Sequence, residues 1–90
     1  MTFDELFDDS KIDEKYAWEN GKSVAFPIYG EYKIEIIKSK HNLYYVRESA
    51  EGDSFQILDF DNFDSAIEKT KQMIAEARER LALAFEILSR

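Results

Sequence analysis

The chain has no cysteine, one histidine, one proline and three glycines among its 90 residues. Without cysteine there is no disulfide to staple a small fold and no thiolate to hold zinc, and a single imidazole leaves little for metal ligation or for proton transfer near neutral pH. The glycines Gly21, Gly30 and Gly52 stand apart, so no glycine-rich phosphate loop exists. Long apolar runs are missing too: none approaches the ~18–20 residues of a membrane span. The first ten residues carry acids where a secretory leader needs a positive segment, so the expectation is a cytosolic chain. Ninety residues make one domain that buries about 60–65% of its unfolded surface, which leaves little volume for an enclosed reaction cleft. The expected protein is not an enzyme and takes no cofactor.

What is present is apolar mass and negative charge. Hydrophobic residues make up 44% and aromatics 14%, enough to fold, while charged residues make up 34% with a net charge of -7. The charge is uneven: residues 1–20 carry a net -5, residues 21–50 a net +2, residues 51–64 a net -5 and residues 65–90 a net +1. Two acidic patches are therefore expected. Asp4, Glu5, Asp8, Asp9, Asp13 and Glu14 form one, and Glu51, Asp53, Asp59, Asp61 and Asp64 the other.

Hydrophobic spacing predicts an α+β fold, a three- to four-stranded antiparallel meander packed against one long C-terminal helix, with a short N-terminal helical segment. Phe3, Leu6 and Phe7 share one helical face, and loop is expected to follow to about residue 19. Between residues 22 and 60 the period becomes two, as in Val24-Phe26-Ile28 and Tyr32-Ile34-Ile36, with further runs at Leu43–Glu48 and Ser54–Asp59. Pro27 relegates the first run to an edge strand or an irregular lead-in. Residues 63–89 repeat apolar positions every three to four residues, with Asp64 or Ser65 as the expected cap and Glu68 reaching back. Such a helix extends about 39 Å, beyond the ~20 Å of a six-residue strand. Its apolar end, with Leu81, Phe85 and Leu88, therefore needs a second surface: the N-terminal segment, a partner, or a second copy in a homodimer.

Residues 32–77, from Tyr-Lys-Ile-Glu-Ile-Ile through Phe63-Asp64-Ser65 to Ala77, resemble the small sheet-plus-helix modules of short bacterial and phage proteins of unassigned role. The layout is also similar to integrase-type and ethylene-response-type DNA-binding domains, where three strands precede a helix entered through such a turn. Those families read the major groove with basic and aromatic residues of the open sheet face. Here that face is expected to show Lys33, Glu35, Ile37, Tyr45, Arg47, Gln56 and Leu58, a mixed set that departs from theirs.

Other constellations fall short of chemistry. Asp59, Asp61 and Asp64 cluster oxygens, but Phe63 and Thr70 stand where a calcium loop needs ligands. His41 lies in an expected turn without triad spacing. Tyr and Trp beside acids, Trp18 and Tyr45 above all, suit a protein-binding surface in which rings anchor and charge steers. The expected role is a non-catalytic stoichiometric inhibitor of the phage anti-defence, immunity or nucleic-acid-mimic kind, occupying a basic surface of a target protein. The alternatives are a nucleic-acid-binding module that uses Lys33, Lys38, Lys40 and Arg47, and an assembly subunit docking through its C-terminal helix. No membrane partner is expected.

Overall fold

A computed structural model describes residues 1–12 and 14–90. The chain runs α1 (Phe3–Asp8), β1 (Lys15–Trp18), β2 (Gly21–Tyr29), β3 (Tyr32–Ser39), β4 (Tyr44–Ala50), β5 (Asp53–Phe60) and α2 (Phe63–Leu88). The strands form one antiparallel sheet in the order β1-β2-β3-β4-β5, and both helices pack on the same face of it. The α+β architecture agrees with the hydrophobic spacing. The sheet has five strands, however, rather than three or four.

The extra strand is β1, in the stretch where the sequence predicts loop. Four residues are too few for a period of two to stand out; Trp18 and Gly21 face each other across a two-residue turn, and Gly21 lets β3 approach the end of that turn closely. It sits at φ +155°, and a Cβ there would lie 2.3 Å from the Lys38 carbonyl oxygen, so only glycine fits. Addition of β1 also corrects the position of β2, which is an interior strand despite Pro27. The Ala25 N–H donates to the Glu14 carbonyl at 2.8 Å, so the nitrogen two residues later points to the same side. There β1, which starts at Lys15, supplies no acceptor, and proline's missing donor costs nothing.

The register explains the core. Val24 faces Ile36, Ile36 faces Val46, and Val46 faces Leu58, a row across four strands on the helix side. Val24, Ile34, Ile36 and Val46 are fully buried, each worth about 1.5–3 kcal/mol of apolar transfer. From α2, Phe63, Ala66, Met73 and Ala77 close over this row. Thr70 lies on the same buried stripe, and its hydroxyl donates to the Ala66 carbonyl at 2.8 Å, so no polar atom is stranded.

Helix α2 begins earlier than Asp64 or Ser65 as cap would require. Asn62, in extended conformation, is the cap, and its side chain accepts from the Ser65 N–H at 2.8 Å. Starting there folds Phe63 into the helix and buries it against Phe3 and Tyr44, with ring centroids 6.0 and 5.9 Å away. The six-residue α1 is too short to persist alone. It is capped by Thr2 and held by Phe3, which is 1% exposed. Among the described residues no helix is long and apolar enough to cross a membrane.

Candidate functional site

One face of the sheet carries no helix. The registers set its side chains in cross-strand rows: Tyr16, Ser23, Ile37, Tyr45 and Asp59 in one, and Ala25, Glu35, Arg47 and Ile57 in the next. A third row holds Pro27, Lys33 and Ser49. The expected composition of this face needs three corrections, the first being Gln56, which pairs with Glu48 opposite the buried Ile34 and so stands on the helix side. Leu58 points to the helices, because it pairs with Val46, while Ile57 and Asp59 take the open side; a shift of one residue moves every side chain of a strand across the sheet. Glu35 is not exposed either: it is 3% accessible beneath its neighbours.

Glu35 and Arg47 face each other across β3 and β4. The Arg47 Nε donates to Glu35 Oε1 at 2.9 Å and its Nη2 makes a second bond to the same oxygen. The guanidinium is thus engaged within the chain rather than offered to a phosphate. Lys33 lies 5.7 Å from the centre of the Tyr16 ring on the same face. Lys38 is on the opposite face, near the Phe3 ring and 3.6 Å from Asp4, and Lys40 sits in the turn after β3. The four bases named for nucleic-acid contact therefore do not share a surface.

The open face is aromatic at its β1 side, where Tyr16 and Trp18 are about half exposed, and Tyr45 is half-buried in the middle. That some rings would stay uncovered follows from one helical layer covering one face only. At the end of the face formed by the β2–β3 and β4–β5 turns lies a cleft of about 450 Å³. Glu14, Glu31 and Glu51 line it together with Lys33, Arg47, Ser49 and Ser54. Three carboxylates from three separate connections meet there. Glu31 was not singled out from the sequence, because a lone acid in a turn carries no local signal.

The other acids are regrouped. Asp4 and Asp64, from different sequence blocks, line one shallow pocket at the α1 end with Lys38 and Asn62. Asp61 lies in the β5–α2 turn beside them, whereas Glu51 and Asp53 lie at the far end of β5. At ~3.3 Å per residue this eight-residue strand separates the halves of the second block by about 25 Å. Asp4 is partly neutralised by Lys22 at 3.9 Å and Lys38 at 3.6 Å. Among the described residues Glu5, Asp8, Asp9, Glu14, Glu31, Glu51, Asp53, Asp59, Asp61 and Asp64 have no cation within 4.0 Å. Asp13 lies outside the described residues. No group of three or more metal-ligating side chains is assembled among the described residues.

On the helix side, α2 leaves the sheet at a polar staple. Glu48 accepts from the Tyr32 hydroxyl, and Arg80 lies 3.7 Å from Glu48 and 3.4 Å from the Tyr32 oxygen. Burial raises the Tyr32 phenol above its ordinary pKa, the bond to Glu48 adds to this, and Arg80 opposes it. Beyond the staple Leu81 is half-buried, Phe85 meets the Tyr29 ring edge-on at 5.7 Å, and Leu88 is 79% exposed.

No family model, curated protein or solved structure matches this chain. Its own geometry is the ground for a functional reading.

Proposed function

We propose that the chain is a non-catalytic binding module whose open sheet face docks on a basic surface of another protein. The observation that supports this best is the pairing of half-exposed rings, Tyr16 and Trp18, with carboxylates that have no internal cation: Glu14, Glu31 and Glu51 at the cleft and Asp59 beside Tyr45. Rings supply contact area at low entropic cost, and unpaired carboxylates steer a cationic partner into place. A stoichiometric inhibitor of the anti-defence, immunity or nucleic-acid-mimic class would act in this way, by occupation of the target's basic surface. The nucleic-acid-binding alternative has less support, since Arg47 is held by Glu35 and Lys38 lies on the other face.

Trp18 is the only tryptophan and lies on this face, so its emission reports docking without a label. The chain is titrated with protamine, an arginine-rich protein, and separately with duplex DNA. Protamine is expected to shift Trp18 emission, more weakly as salt rises. The triple variant Glu14→Lys, Glu31→Lys, Glu51→Lys should lose the response, and the helix-surface control Glu68→Lys, Glu76→Lys, Glu79→Lys should keep it. A response to DNA alone, or equal losses in both variants, refutes the assignment.

A further inference from the structure

The two edges of the sheet differ. Strand β1 at one edge is four residues long, whereas β5 at the other is eight. Every residue of β5 from Asp53 to Ile57 is exposed, and the strand holds no lysine or proline, the residues that ordinarily blunt an edge against pairing. Its outward peptide groups follow from the register. The Ser39 N–H donates to the Leu43 carbonyl at 2.9 Å, and the alternation of an antiparallel ladder then has Tyr45 and Arg47 bond to β3, and Tyr44, Val46 and Glu48 bond to β5. Their partners Phe60, Leu58 and Gln56 turn their N–H and C=O groups inward. Those of Ile57 and Asp59 point out of the sheet, and among the described residues no backbone group outside the ladder bonds to them.

Both flanks of this edge are open. On the helix-free face Ile57 is 56% exposed, and Asp59 in the next row has no cation within 4.0 Å among the described residues. On the helix side a shallow groove of about 690 Å³ lies between the end of β5 and α2, lined by Phe60, Asp64, Ser65, Glu68, Lys69 and Gln72. Phe55, 62% exposed opposite the register shift, adds an uncovered ring near the start of the strand. Side chains of an added strand would alternate between these two flanks.

We propose that an extended segment of a partner protein, with basic and apolar residues in alternation, adds to β5 as a sixth strand. Main-chain hydrogen bonds to Ile57 and Asp59 hold it, while bases lie beside Asp59 and apolar side chains enter the groove at Phe60. Charge selects this occupant. The only charges of β5 are Asp53 and Asp59, and residues 51–64 hold five acids and no base. A second copy of β5 would set those acids against an identical set, and an acidic segment would meet the same repulsion. The contact uses the backbone of β5, so it stands whether or not Tyr16 and Trp18 meet a target.

The probe is a peptide of alternating lysine and valine, matched to β5 at eight residues, with an alternating glutamate and valine peptide as its counterpart. Amide hydrogen exchange of the whole chain, followed by NMR, reads the contact residue by residue. In the free chain Ile57 and Asp59 should exchange faster than Leu58 and Phe60, whose N–H groups lie in the ladder. The lysine peptide is expected to slow both by about tenfold or more, and the glutamate peptide to leave them unchanged. Asp59→Lys should reverse that choice. Ile57→Pro removes an N–H that the sheet does not use, so the fold is expected to hold and the lysine peptide to be lost. Should the proline variant fail to fold, Asp59→Lys, at an exposed position, still decides. No protection at Ile57 and Asp59, equal effects of the two peptides, or a choice of peptide unchanged in Asp59→Lys overturns the proposal.

Discussion

Replacement of Arg47 by methionine breaks the ion pair that the arginine makes with the buried Glu35 on the open face. The Glu35 side chain is 4% exposed and that of Arg47 36%, and two of the guanidinium's donors converge on one carboxylate oxygen. Loss of one partner of a fully buried pair costs about 3–5 kcal/mol, because the remaining charge is stranded. Arg47 is reached by solvent, so water can partly replace it and the expected cost falls to about 2–3 kcal/mol. In a domain of this size that is a drop of about 10–20 °C in Tm. The double variant Glu35→Leu, Arg47→Met is expected to return to within ~1 kcal/mol of the parent. Ala25 beside position 35 and Ile57 beside position 47 offer apolar neighbours to the new side chains. Urea unfolding of the parent, both single variants and the double variant measures the coupling, expected at about 2 kcal/mol. Additive losses in the double variant would show that the pair is not buried as a unit, and that Arg47 is free to meet a ligand.

Two further outcomes test the helix. Tyr32 should ionise above the ordinary tyrosine range in a spectrophotometric titration, and Arg80→Gln, which removes the opposing cation, should move it higher still. Because the folded pKa is raised, its contribution to stability is complete below the ordinary tyrosine range and is lost as pH climbs through the folded value; Tyr32→Phe should abolish that part of the alkaline decline. Asn62→Ala should cost about 1 kcal/mol and Ser65→Ala less than ~0.5 kcal/mol, and the reverse order would return the cap to Ser65.

The elements with long periodic runs were legible in the chain. Helix α2 and strands β3 to β5 follow from apolar spacing, because each runs for seven or more residues, long enough for a period to show. Strand β1 was not legible, since four residues gain their identity from β2 rather than from their own pattern. The place of Pro27 also escaped local reading: whether a missing N–H matters depends on where the neighbouring strand starts. The same limit applied to the candidate site. Trp18, Tyr45 and Asp59 were recognisable as ring and charge, but Tyr16, Glu31, Phe55 and Ile57 had no signal, because the face each occupies is set by pairing and by bulges.

Composition and spacing alone determined the α+β class, the excess of negative charge, the absence of any thiol chemistry and a final helix longer than the sheet beneath it. These are properties of residue type and local period, and they hold in whatever way the strands are ordered. Which acids stand together was decided only by the tertiary structure. Strand pairing carried Glu51 and Asp53 to one end of the sheet and Asp61 and Asp64 to the other, brought Glu14 and Glu31 to the first, and locked Arg47 onto Glu35. Charge acts through distance in space, and distance along the chain does not set it until the sheet has closed its register.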